Sequence, residues 1–398
     1  MSETPIDIDR ARADTPGCEL VVHLNNAGAS LPPSIVVDTV VGFLRQEAEI
    51  GGYELARRSS DAIGDVYGSV ARLVGAAPEE IAMFDNATRA WDVALASIPF
   101  GRGDRVLMSR AEYASNVMSF LQLARRHDVS VEVVPDDEHG QLDVEALEDL
   151  LDERVRLVAV THVPTSGGLV NPAAAVGEAL RGSDALYLLD ACQSIGQMPV
   201  DVGEIGCHFL SATGRKFLRA PRGTGFLYVR RDVLEHTEPV FVDLRSATWV
   251  ATDRYELASD ARRFETWERN VAAMLGLGAA SDYARSWGLE AIEHRVIALA
   301  QDLRDRLDSI DGVITRDLGE RRCGIVTFTV DGVDPEALAD SLRAEGINVW
   351  VSQLTSARID FEARGLDSVV RASVHYYNTD AELDRLADAV ATRFRGDV

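Results

Sequence analysis

The stretch Ser211-Ala-Thr-Gly-Arg-Lys-Phe-Leu-Arg-Ala-Pro-Arg-Gly-Thr-Gly-Phe-Leu-Tyr-Val229 decides how this chain is read. At its centre stands Lys216, the only lysine in 398 residues. Every other basic side chain is arginine. Arginine replaces lysine wherever a surface charge suffices, but a guanidinium stays charged and cannot form an imine. A solitary lysine is therefore a candidate Schiff-base residue. The plain alternative is a surface survivor of a coding bias, and the neighbours separate the two.

On its N-terminal side, Cys207-His-Phe-Leu-Ser-Ala-Thr213 reads as a strand that ends just before Lys216. On its C-terminal side, Pro221-Arg-Gly-Thr-Gly225 turns sharply into a second strand, Phe226–Val229. Further upstream, Arg156–Thr161 and Ala185–Asp190 are short apolar runs of the kind buried in a parallel sheet. Asp104–Ser109 is a third such run. Helical patterns alternate with these strands from about residue 20, which predicts an α/β fold with a mainly parallel sheet. After about residue 280 the order changes to helices and strands of a compact α+β unit. The expected division is a large domain over 20–280 and a small C-terminal domain over 281–398, packed with segment 1–19.

Polar residues recur just beyond the strand ends, where open α/β sheets bind ligands. Asp190 sits at a strand tip, where a carboxylate needs a cation or hydrogen-bond donors, on a ligand or in a capped turn. Tyr113 follows another strand and can stack on a flat ring or pack on the next helix. Asn86-Ala-Thr88 opens a helix, a favourable place for a phosphate and equally for an ordinary cap. Thr165, Gln193 and Thr213 complete one rim.

Composition narrows the field. The formal charge of −24 opposes binding to nucleic acid or anionic membranes. No apolar run reaches the ~20 residues of a membrane span. The first ten residues lack the basic and apolar parts of a signal peptide, so the cytoplasm is the expected location. Four scattered cysteines, at 18, 192, 207 and 323, show neither disulfide nor metal-ligand spacing.

A lysine after a strand, an aspartate at a strand tip, an aromatic residue and a phosphate-ready helix start are the parts of a pyridoxal 5'-phosphate site. Lysine makes the imine, and a carboxylate keeps the pyridine nitrogen protonated so that the ring accepts electrons. In order and spacing the chain resembles the class V aminotransferase family of fold-type I pyridoxal phosphate enzymes, from about Leu24 to Leu386. That family includes cysteine desulfurases, isopenicillin N epimerase and C–S lyases of ergothioneine and lincosamide-type pathways. The pieces that carry the resemblance are Asn86-Ala-Thr88, Glu112-Tyr113, Thr161-His-Val-Pro-Thr165, Asp190-Ala-Cys-Gln193, Thr213-Gly-Arg-Lys216 and Arg371-Ala-Ser-Val-His-Tyr-Tyr-Asn-Thr379.

The resemblance implies that Lys216 links the cofactor, Asp190 meets the pyridine nitrogen and Gln193 the ring hydroxyl. Tyr113 would stack on the ring, where desulfurases carry histidine. Asn86, Ala87, Thr88, Thr165 and Thr213 would surround the cofactor, with Arg215 near its phosphate. Arg371 would hold a substrate carboxylate, with Asn26, Tyr53 and Gln353 as further substrate contacts. The segment Phe264-Glu-Thr-Trp-Glu-Arg-Asn270 matches a loop that reaches the partner's site in the family, which implies a homodimer and adds Asn270 to the cofactor set.

One departure bears on the reaction. Desulfurases carry a mobile cysteine shortly before the carboxylate arginine, whereas Asn348–Arg358 here contains none. Sulfur transfer through a persulfide is therefore not expected. Glu47-Ala-Glu-Ile-Gly-Gly-Tyr53 and the Pro221–Gly225 turn are shared with the ergothioneine lyase and related pathway enzymes, and that resemblance implies β-elimination from an S-substituted cysteine. Decarboxylating or oxidative deamination, or aminotransfer, remains open through the same linkage, as does a binding protein that has kept the fold.

Overall fold

The computed structural model describes residues 5–394. Its centre is a seven-stranded sheet in the order Ile81–Phe84, Gly225–Val229, Phe209–Thr213, Leu186–Asp190, Val155–Thr161, Arg105–Met108 and Ser130–Val133. The five strands from Phe209–Thr213 to Ser130–Val133 run parallel. At the other end Gly225–Val229 runs antiparallel to them, and Ile81–Phe84, antiparallel to Gly225–Val229, shares the direction of the five. Leu157, Val158, Ala159 and Val160 are fully buried, as are Tyr187, Leu188 and Leu189, because helices cover both faces of the sheet. That double cover explains why these strands read as continuous apolar runs. The α/β expectation holds.

Register brings the functional residues together. Thr161 pairs with Asp190, and Asp190 pairs with Ser211, two residues before the end of the Phe209–Thr213 strand. Thr213 then pairs with Gly225, which also faces Phe84. One edge of the sheet therefore carries the tips leading to Asn86, His162, Asp190 and Lys216. Gly225 is required here, since a Cβ would come within 2.9 Å of the Asn86 carbonyl carbon and 3.0 Å of the Ala87 nitrogen. Its bare backbone lets the strand lie against the start of helix Ala87–Ser97.

A second, antiparallel sheet has the order Val313–Thr315, Ile325–Val330, Ser368–Ser373, Trp350–Gln353. Its core joins residues of helices Leu289–Asp308, Pro335–Ala344 and Asp380–Phe394. Ala11, Cys18, Val22 and Leu24 belong to that same core, so the N-terminal segment packs on the C-terminal unit. The strand pair Val22–His23 and Ile347–Asn348 adds a parallel tie. Helix Val271–Trp287 runs unbroken through residue 280, and the chain turns at Gly288, where φ is +82°.

Candidate active site

Lys216 lies in the turn after the Phe209–Thr213 strand and is only 8% exposed. Burial lowers the pKa of its amine, against the opposing pull of Cys192 and Asp190, and the nearby Arg215 and Arg371 guanidinium groups lower it further. Lys216 lines a cleft together with Asp190, Gln193 and Thr213. Tyr113, Thr165 and Arg215 line it as well, as do Asn86, Ala87 and Thr88. Ten of the residues expected at the site thus meet in one place, together with Thr161, Val163 and Cys192.

Each is held by its neighbours. Asn86 caps helix Ala87–Ser97 by accepting from the Arg89 amide at 2.9 Å, so Ala87 and Thr88 form the first turn. Tyr113 occupies the equivalent position before helix Ala114–His127 and faces the cleft rather than the core. Asp190 Oδ1 accepts from the Cys192 amide at 2.9 Å, and Oδ2 accepts from Asn116 Nδ2 at 3.0 Å. Gln193 Nε2 donates to Thr165 Oγ1 at 3.0 Å and to the Ala27 carbonyl at 3.2 Å. Gln193 Oε1 is buried without a partner. The Arg215 guanidinium donates to the Gly28 carbonyl.

Arg371 comes from the second sheet and is 4% exposed. It donates to the Thr165 carbonyl at 2.7 Å and Thr165 Oγ1 at 3.1 Å, and to Asn25 Oδ1 at 3.3 Å. These acceptors are all uncharged, and its Nε is buried without one. Burial and the Arg215 charge push its pKa down to about 10. A guanidinium can grip a carboxylate with two parallel N–H groups, and burial without a charged partner makes Arg371 costly unless such a group arrives.

Four expected residues lie elsewhere. Asn26 is fully buried, donating to the Ser373 carbonyl at 2.7 Å and accepting from Tyr377. Both ends of its amide are engaged in the joint between the two units, and its neighbour Asn25 is the one beside Arg371. Tyr53 is 78% exposed on the short helix Gly52–Arg58 and does not line the cleft. Gln353 ends its strand with Nε2 donating to Glu336 Oε1 at 2.6 Å. Asn270 caps helix Val271–Trp287 through the Ala273 amide and lines a neighbouring cleft with Thr224 and Gly225.

Two residues were missed by sequence reasoning. Asn116 bridges Asp190 and Glu112, donating to Glu112 Oε1 at 2.8 Å. Glu112, quoted only as a motif letter, is buried and accepts from Ser109 and Thr161 and from the Tyr113 amide as well. Burial raises its pKa, in opposition to those hydrogen bonds. The available signal was spacing, since positions 113 and 116 share a helix face.

The family model for aminotransferase class-V matches residues 22–386. The chain belongs to that family. A probable cysteine desulfurase of Methanothermobacter thermautotrophicus is 32% identical, over 95% of this chain and 96% of the relative. The apo structure of a cysteine desulfurase from Thermococcus onnurineus NA1 superposes with a TM-score of 0.92 at 26% identity, covering all of both chains. A cystine C–S lyase, solved with its product cysteine persulfide, shares the fold at a TM-score of 0.85 and 22% identity, over 95% of this chain and 99% of that one. The fold alone thus serves proteins named for different outcomes.

Pyridoxal 5'-phosphate is the cofactor of class V enzymes, and the residues here fit it. The cleft offers a buried amine, a carboxylate fixed by two donors and an orphaned amide oxygen. Asn86, Ala87 and Thr88 add a helix start to its lining, against which Gly225 packs without a side chain. The chain is an enzyme of this class.

Proposed function

We propose that this enzyme cleaves the Cβ–S bond of an S-substituted cysteine by β-elimination and releases the sulfur as a small thiol. The observation that carries the reading is the state of its four thiols. Burial pushes Cys18 up to about 11 and Cys207 and Cys323 up to about 12. Cys192 is likewise raised well above its ordinary value, by burial and by the adjacent Asp190. A thiolate is the sulfur acceptor in persulfide chemistry, and none of these is poised to be one. The segment that approaches the cleft from the small unit, where Ser356 Oγ meets Ser166 Oγ at 3.4 Å, contains no cysteine.

When bound, pyridoxal phosphate supplies the sink for the electron pair released at Cα. Lys216 and Asp190 carry the two proton duties. Lys216, buried beside two guanidinium groups that with burial lower its pKa, would take the Cα proton on Nζ. Asp190 would hold a proton on the pyridine nitrogen, and Asn116 with the Cys192 amide keeps that carboxylate aimed. Tyr113 would hold the ring by stacking. Gln193 would meet the ring hydroxyl, and the helix start at Asn86–Thr88 with Thr213 would receive the phosphate. Arg371 would clamp the substrate carboxylate, with Asn25 beside it. Asn26 is dropped from the substrate set because its amide is consumed.

A homodimer is part of the proposal. Phe241, Leu244, Trp249 and Trp267 expose large apolar surfaces on one stretch of chain, which supports a covered face there. Tyr53, unused within its own subunit, and Asn270 are then candidates for contact across that joint. Among the described residues no helix is long and apolar enough to cross a membrane.

The test is incubation of the holoenzyme with S-methyl, S-benzyl and S-glycosyl cysteines while thiol, pyruvate, ammonia, CO2 and hydrogen peroxide are followed. Equal amounts of thiol, pyruvate and ammonia are expected. CO2 in place of thiol would replace elimination by decarboxylation, and hydrogen peroxide, formed by reduction of dissolved O2, would replace it by oxidative deamination. Alanine and enzyme-bound persulfide from free cysteine would make it a desulfurase.

A further inference from the structure

Three residues after Lys216, Arg219 adopts φ of +64°, a left-handed conformation that favours glycine. Its side chain is among the largest fully buried ones in the chain, at 2% exposure. A buried guanidinium is ordinarily matched by a carboxylate. Here it donates from Nε to the Leu31 carbonyl at 2.9 Å, and from its two terminal nitrogens to the hydroxyls of Tyr376 and Thr15. Three rings stand around the same cation, with centroids 4.6 Å away for Tyr377, 5.2 Å for Tyr376 and 5.7 Å for Tyr283. Among the described residues no carboxylate pairs with it. Aromatic faces and neutral oxygens carry the whole charge.

These partners come from three parts of the chain. Thr15 and Leu31 belong to the N-terminal segment, Tyr283 to helix Val271–Trp287, and Tyr376 and Tyr377 to the run just beyond strand Ser368–Ser373. The backbone carries the consequence to the lysine. The Arg219 amide donates to the Lys216 carbonyl at 2.9 Å and closes the turn in which the lysine sits. A second grip lies between them, because His375 Nε2 donates to the Phe217 carbonyl at 2.8 Å. The Tyr376 amide donates to His375 Nδ1, so the imidazole is neutral with its proton on Nε2. His375, Tyr376 and Tyr377 continue directly from the strand that carries Arg371.

We propose that Arg219 is a positioning residue for Lys216, clasped by the Tyr376–Tyr377 pair so that the amine and the Arg371 guanidinium keep one fixed relation. The proposal rests on the reading of Lys216 as the cofactor-linked residue. It accounts for an arginine in a backbone position suited to glycine, and for the His-Tyr-Tyr run that substrate binding leaves unused. The left-handed turn brings the chain back toward Tyr376, and the long side chain spans from the lysine turn to the second unit.

Because Lys216 is the only lysine, its side chain gives one unambiguous signal in protein grown with ¹³Cε-lysine. That signal would be titrated in the cofactor-free full chain, and kcat and KM measured in the holoenzyme. The variants are Arg219→Gly, which suits the backbone and removes the clasp, and Tyr376→Phe, which keeps the ring and removes one acceptor. In Arg219→Gly the lysine titration should move toward that of a free lysine, with kcat down at least tenfold and KM within about twofold. Tyr376→Phe should move both in the same direction by less. A folded Arg219→Gly protein with a lower melting temperature but unchanged titration and kcat would overturn the proposal. If Arg219→Gly fails to fold, an unchanged titration and kcat in Tyr376→Phe would do so. Failure of borohydride to fix the cofactor on wild-type Lys216 would instead remove the site reading, while the lysine signal still reports on Arg219.

Discussion

Asn116 Nδ2 lies 3.0 Å from Asp190 Oδ2 and 2.8 Å from Glu112 Oε1, so one buried amide stands between two buried carboxyl groups. Burial and the nearby Asp190 charge raise the pKa of Glu112, against the hydrogen bonds it accepts. Asn116→Ala removes one of the two donors that aim Asp190. A loss of about 1.5–3 kcal/mol in transition-state stabilisation is expected, or roughly tenfold to a hundredfold in kcat/KM. Asp190→Ala should cost several orders of magnitude. A loss below about tenfold in Asp190→Ala, measured with saturating cofactor, would reduce Asp190 to a turn cap.

Lys216→Ala should abolish turnover and the covalent cofactor link together. Mass spectrometry after borohydride should find the cofactor's mass on residue 216 of the wild type and nowhere in the variant. With no second lysine available as a substitute, an active Lys216→Ala protein would end the site reading.

The sheet and most of its rim were legible because the parallel strands are buried on both faces and so print as unbroken apolar runs. Asp190 and Lys216 stood out as charges just beyond such runs. The hairpin Ala247–Ala251 with Arg254–Leu257 was not legible, since its outward surface mixes polar and aromatic residues without a core to impose alternation. Asn25 and Asn26 could not be separated, because the choice depends on which amide the distant Ser373 and Tyr377 consume. Arg219 read as one arginine among many, and only the rings from residues 283, 376 and 377 mark it out.

Acid should destabilise the fold through His162. Burial and the Arg321 charge lower its pKa from 6.5 to about 4, and its Nδ1 has no partner. Below 6.5 the unfolded chain binds a proton there that the folded chain refuses, so stability falls as the pH drops toward 4. One such group accounts for about 3 kcal/mol across that window. Urea unfolding between pH 4 and 7 should show this loss in the wild type and a slope smaller by one proton in His162→Gln. Equal slopes would mean that His162 titrates normally.

Arg371→Ala should act on binding. Removing a buried two-pronged contact to a substrate carboxylate is expected to cost about 2–3 kcal/mol, seen as a KM roughly 30- to 160-fold higher. Freed from its clamp, the substrate should also partition less cleanly, with more CO2 released relative to thiol. Arg371→Lys should recover only part of the loss, because an ammonium cannot reproduce the fork. An unchanged KM for amino-acid substrates would take Arg371 out of the site.

Cys192 is the one thiol that lines the cleft, and its behaviour separates elimination from sulfur transfer. It stands two residues after Asp190, and its amide is tied to the Asp190 carboxylate at 2.9 Å. Burial and the neighbouring carboxylate raise its pKa, which keeps the sulfur protonated and poorly nucleophilic. Attack on a substrate sulfur requires approach to about 3–3.5 Å in the right direction, a demand better met by a mobile loop than by a fixed residue. Cys192→Ala should therefore retain thiol release within about threefold, or ~0.7 kcal/mol. The wild type, quenched during turnover with free cysteine and alkylated, should carry no added sulfur at position 192. A persulfide there, together with loss of sulfur release in Cys192→Ala, would place sulfur transfer on this residue and overturn the elimination reading.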